Sequence, residues 1–282
     1  MGLYVATMAA WFALVVHGTA VPLPVLIVLG GVVVCLQGSL QHEFLHGHPT
    51  RWQRLNNLLA YPPLALWIPY RIYHDSHHEH HRSPRLTDPE LDPESFHVSA
   101  DTWQNAGVVN RAVLRINGTL AGRMLLGPWL VVGRFWMNEI IALSRGVSSY
   151  LFTWLGHLAS VTVLLSFIQW CGLPVWVYVI AFVWPGIALT LQRSFAEHRP
   201  GDSQDDSTAM VDAHPFWSLL YLNNNLHRVH HSNPSMPWYA LPKELRRDTK
   251  RYLPNGSYQF KGYSALWRQW GLNARSLIHP WR

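Results

Sequence analysis

No Asp, Glu, Lys or Arg occurs before Glu43, and none occurs between Arg145 and Arg193. Apolar runs of that length outlast the helices of soluble cores and match what a bilayer demands. All 22 Lys and Arg therefore lie in 51–145 or 193–282. Only 13% of the chain is charged, against roughly 25% in soluble domains. Two uncharged blocks alternating with two basic, His-rich blocks indicate an integral membrane protein. The formal net charge of +6 fits basic loops held on the cytoplasmic side of an anionic membrane. No dense Lys/Arg stripe appears, which argues against a nucleic-acid partner.

The first block is too long for one span and breaks at Gly18 to Pro24. It predicts helices at about 3–19 and 24–41, each near the roughly 20 residues needed to cross. A cleaved signal peptide fits less well, because a basic leader is missing and a second apolar helix follows at once. The second block repeats the design, with helices at about 149–170 and 174–192 around the turn Cys171 to Pro174. The expected architecture is a single all-α membrane domain, 1–282, with four spans arranged as two hairpins. Its cytosolic parts are 43–145 and 193–282. Both outer turns lack charge, as the positive-inside rule requires. A single crossing by 146–192 would instead put the bilayer between the His-rich blocks.

Three prolines, Pro62, Pro63 and Pro69, make the apolar stretch before Tyr70 interfacial or re-entrant rather than spanning. Residues 106–144 are apolar but carry Arg111, Arg115, Arg123, Arg134 and Glu139. A central Arg is costly in a span, so amphipathic interfacial helices are expected there. Ser83 to Ser95 reads as a polar loop. Two cysteines, Cys35 and Cys171, provide no disulfide framework and no C-x-x-C metal site.

Of 17 histidines, most fall in clusters. His227-Arg228-Val229-His230-His231 and His74-Asp75-Ser76-His77-His78 both have the form H-x-x-H-H. On a helix, positions i, i+3 and i+4 share a face, so each segment is expected to aim three imidazoles at one point. His42 and His46 flank Glu43-Phe44-Leu45 at i and i+4, and His198 stands alone after the second block. Nine imidazoles are too many for one metal and suit two. An imidazole shell is neutral at pH 7 and suits iron, copper, nickel or zinc better than magnesium or calcium. Glu43, Asp75, Glu79 and Glu197 adjoin these histidines, and Asn223, Asn224 and Asn225 precede the third cluster. Such groups can hold the second ring nitrogen of a ligand and fix its tautomer. His48, His80 and His81 are expected outside the ligand set. His17, His97, His157, His214 and His279 read as packing or interfacial residues.

The order H-E-x-x-H, H-x-x-H-H, H-x-x-H-H, with Glu197-His198 before the last box and two membrane hairpins, resembles the membrane fatty acid desaturase and hydroxylase superfamily. The resemblance covers about 40–240, and the Pro/Trp run from Ser232 to Pro242 adds to it. It implies a non-haem di-iron oxygenase with O2 as co-substrate, acting on an unactivated C–H bond of a fatty acyl or lipid substrate. Either a second hydrogen is then removed or a hydroxyl is transferred, and desaturation is slightly favoured. The implied iron ligands are His42, His46, His74, His77, His78, His198, His227, His230 and His231. Electrons are expected from a separate carrier: a ferredoxin, a rubredoxin, or cytochrome b5 with its reductase. The implied setting is a bacterial inner membrane with the site on the cytoplasmic side.

Other readings explain less. Carotenoids or small metabolites are alternative substrates within the same architecture. His42-Glu43-x-x-His46 alone matches a zinc intramembrane protease, but that leaves seven clustered histidines unexplained. A metal transporter would place metal-binding polar groups inside the spans, where His17 and His157 are the only histidines.

Overall fold

The computed structural model describes residues 1–146 and 149–281 and is mostly helical. The principal helices are α1 (Gly2–Val16), α2 (Leu23–Leu45), α3 (Tyr70–Arg82), α4 (Gly127–Ser144), α5 (Leu151–Trp170), α6 (Val175–Glu197) and α7 (His227–Ser232). The chain forms two compact units: Met1–His74 with Gly127–Thr190, and Asp75–Leu126 with Leu191–Arg282.

Among the described residues, α2, α5 and α6 are long and apolar enough to cross a membrane. The expected first span is not of that length. The helix stops at Val16, where a 3-10 turn over Gly18–Ala20 takes over. Fifteen residues rise roughly 22 Å, short of the roughly 30 Å hydrocarbon core. The three candidate spans lie where the uncharged blocks placed them, with α2 and α6 running about four to five residues further at their C-terminal ends. The arginine-bearing α4 is not among the candidate spans.

In the first unit, α2 packs closely on the part of α6 before Leu191. A Cβ on Gly30 would stand 2.5 Å from the Ala181 carbonyl oxygen, and one on Gly186 would stand 2.6 Å from Val34. Small residues let the two backbones meet, the usual device of helix contacts in lipid. Residues Val179–Val183 are π-helical. Pro185 stands two residues further on, and it lacks the N–H that would otherwise close an α-helical bond to Ala181. Buried Tyr178 ties three segments: it accepts from Trp11 Nε1 (3.1 Å) and donates to the Leu64 carbonyl (2.8 Å). His157 Nε2 lies 2.8 Å from the Leu66 carbonyl, consistent with its expected packing role.

The second unit is built around short helices and one parallel strand pair, β1 (Met210–Val211) with β2 (Gln259–Phe260). Val229 on α7 is fully buried and packs with Met210, Leu226, Leu241 and Tyr252. Residue 209 joins two segments. Its N–H donates to the Glu197 carbonyl (2.9 Å), and its own carbonyl accepts from the Arg228 N–H (3.2 Å). Val211 N–H then donates to the Asn225 carbonyl, and the Asn225 side-chain amide donates to the Val211 carbonyl. These bonds place His198 beside α7.

Candidate metal centre

Four imidazoles of the second unit, His80, His198, His227 and His231, each bring one ring nitrogen within 4.8 Å of the others. Three more, His77, His81 and His230, form an adjacent group. His81 Nε2 lies 3.0 Å from His77 Nε2 and 3.1 Å from His230 Nε2. His81 and His231 stack at 4.3 Å between ring centroids, so the groups are neighbours.

Each box is divided between the groups. From α3, His77 and His81 (i and i+4) go to one group and His80 (i+3) to the other. From α7, His227 and His231 (i and i+4) go to the second group and His230 (i+3) to the first. The expectation that one box aims three imidazoles at one point is therefore corrected. Around a helix, i and i+4 differ by roughly 40°, while i+3 lies some 60° to the other side of i. Facing helices then exchange their i+3 members.

The exchange also revises the second box. The sequence holds two overlapping matches to H-x-x-H-H, 74–78 and 77–81. The groups take His77, His80 and His81, whereas His74 and His78 belong to neither. His80 and His81, expected outside the ligand set, are thus central. His80 is 1% exposed, and His78 is only half-buried. His42 and His46 lie on the last turn and C-cap of α2 in the first unit, 4.8 Å apart between ring centroids, with His42 buried.

The outer nitrogens of several rings are held. His80 Nδ1 lies 2.8 Å from Asp92 Oδ1, and His77 Nδ1 lies 2.8 Å from Glu94 Oε1. His227 Nδ1 lies 3.1 Å from Asn224 Oδ1 and 3.3 Å from Glu197 Oε1, and Asn224 Nδ2 donates to Glu197 Oε1 (3.1 Å). In each case the Nε2 lone pair is left for the group's interior. Glu197 and Asn224 were expected in this role. Asn223 instead donates to the Trp238 carbonyl and takes a left-handed backbone, φ 55°. Glu79 is exposed, Asp75 is half-buried, and Glu43 is buried on α2. Sequence reasoning missed Asp92 and Glu94. The available signal was the repeated Asp-Pro-Glu of 88–90 and 92–94, which places acids at a regular interval beside the box.

Burial and the neighbouring imidazoles push His81 down to about 2 and hold His198, His227 and His231 well below the ordinary histidine value. They are neutral at pH 7, the form that binds metal. Burial also opposes charge on His80. There Glu94, the Asp92 hydrogen bond and the charges of Asp92 and Glu197 outweigh it and raise the ring to about 9.

The donors fit a transition-metal ion. Both ring nitrogens of buried His231 lack a hydrogen-bond partner among the described residues. Leaving such a group unsatisfied costs on the order of 1–3 kcal/mol, and a metal bond removes that cost. Neutral imidazoles oriented by carboxylates form the donor set that borderline divalent metals prefer.

A family model described as Fatty acid desaturase matches residues 18–263, most of the chain. The chain belongs to that family, which makes it a membrane oxidoreductase of the desaturase and hydroxylase kind. No curated protein matches it. The membership sets aside the protease and transporter readings.

Proposed function

We propose that this protein is an O2-dependent di-iron enzyme that removes hydrogen from, or hydroxylates, an unactivated C–H bond of a fatty acyl or lipid substrate, with desaturation favoured. The observation that carries the proposal is the exchange of i+3 imidazoles between α3 and α7, which makes two neighbouring, buried nitrogen donor sets rather than one. The proposed ligands are His80, His198, His227 and His231 for one iron and His77, His81 and His230 for the other. His42 and His46 join the ligand set on their i, i+4 placement and the family motif. Bound iron would supply O2 activation and one-electron chemistry that protein side chains lack. The chain's own contribution is to orient the imidazoles through Asp92, Glu94, Glu197 and Asn224, to hold His81, His198, His227 and His231 neutral by burial, and to exclude water.

The proposal extends to the surroundings. Four spans as two hairpins in a bacterial inner membrane, with the site on the cytoplasmic side, are supported by the confinement of all Lys and Arg to 51–145 and 193–282. On this reading α1 pairs with α2 as a short span. A separate ferredoxin, rubredoxin, or cytochrome b5 with its reductase delivers electrons.

The test has two parts. Metal analysis of purified protein is expected to find two irons per chain; one zinc and no iron would refute the proposal. Lipid mass spectrometry of cells expressing the active protein or a His230→Ala variant is expected to show species that have lost two hydrogens. Species that have gained one oxygen would assign hydroxylation instead.

A further inference from the structure

We infer that the loop joining Ser83 to Ser95 makes the two metal positions unequal: Asp92 fixes the His80 position, whereas Glu94 holds the His77 position loosely. The inference rests on the proposed function, since it takes both imidazole groups as metal sites. Asp92 and Glu94 are two residues apart and each holds one ring of a different group.

Their surroundings differ. The Asp92 side chain is 2% exposed and has three partners: His80 Nδ1 (2.8 Å), the Glu94 N–H (2.9 Å) and the Thr87 N–H (2.8 Å). Its own N–H donates to the Asp88 carbonyl (3.0 Å). A carboxylate held by backbone donors on both oxygens cannot turn without breaking the loop. The Glu94 side chain is 34% exposed, has one more rotatable bond, and meets His77 Nδ1 at 2.8 Å. Water can compete for that carboxylate, and the ring behind it is held correspondingly less firmly.

The difference lies in the outer hydrogen bonding, which is rigid behind His80 and loose behind His77. The site of His80, His198, His227 and His231 binds a divalent transition metal more tightly. The site of His77, His81 and His230 exchanges it more readily. Asp92 and Glu94 are positioning residues, not ligands.

The experiment is anaerobic titration of the full-length, metal-free protein with Co(II), following the visible ligand-field bands and equilibrium binding. The wild type is expected to bind two ions with separated affinities. Glu94→Ala should weaken only the looser site, by about 10- to 100-fold, with Glu94→Gln partly restoring it. Asp92→Asn should weaken the tighter site and change its bands. If Asp92→Asn does not fold, the Glu94 pair alone decides. Two equal sites in the wild type, or an unchanged looser site in Glu94→Ala, would overturn the inference while leaving the metal reading intact. No bound metal in the wild type would instead overturn the proposed function, and this inference with it.

Discussion

His80 Nδ1 and Asp92 Oδ1 lie 2.8 Å apart with both side chains shut away from solvent. This pairing fixes the register of the second box at 77–81, because it turns His80 Nε2 inward with His198, His227 and His231. His80→Ala is therefore expected to lower turnover by more than about 100-fold and release metal, whereas His78→Ala should keep turnover within several-fold of wild type. Parallel assays of turnover and iron content check this. Loss of turnover in His78→Ala, with turnover kept in His80→Ala, would return the box to 74–78.

Asn224 joins Glu197 to His227, accepting near the ring and donating to the carboxylate. Asn224→Ala leaves Glu197 as the remaining partner of Nδ1, at 3.3 Å. The expected result is a roughly 10-fold weaker metal affinity with the helical circular dichroism unchanged. Unaltered affinity would show that Glu197 alone suffices.

Metal binding to the folded second unit must stabilise it by mass action. At free metal about 100 times the dissociation constant, the gain is about 2.7 kcal/mol. Chelation should lower the melting temperature in detergent, and added Fe(II) or Co(II) should restore it. A melt indifferent to metal would contradict the assignment.

Gly30 and Gly186 mark a contact that admits no side chain, while Gly38, on the same helix as Gly30, faces open space. Gly30→Leu is expected to destabilise the first unit by at least about 1–3 kcal/mol through overpacking. Gly38→Leu should be close to neutral. Comparative melts in detergent separate the two, and equal melting temperatures would refute the packing argument.

His97 gives a pH dependence outside the metal groups. Burial, then Arg275, His279 and Arg123, push its ring down to about 3. The unfolded chain binds this proton below about pH 6.5, but the folded chain does not until about pH 3. Stability is thus fully present above about pH 6.5 and is lost as pH falls toward 3, by up to about 1.4 kcal/mol per pH unit. His97→Leu should make the melt less sensitive to pH between 6 and 4. An unchanged slope would show that the ring takes up its proton in the folded state.

The sequence by itself determined the helical membrane class, three of the spans, the family, and the set of histidines from which the groups are drawn. Those features are periodic or compositional: charge exclusion is written residue by residue, and a helix repeats its face every three or four positions. It could not choose between 74–78 and 77–81, because both registers satisfy the same spacing. Tertiary structure made that choice through Asp92 and Glu94, acids from a loop whose path no periodicity encodes. It also shortened the first helix at His17 and divided each box between two imidazole groups. Angular separation on one helix is a local property. Which imidazole meets which depends on the helix facing it, and that is decided only when residue 209 bonds to the Glu197 carbonyl and the Arg228 N–H and brings His198 to His227.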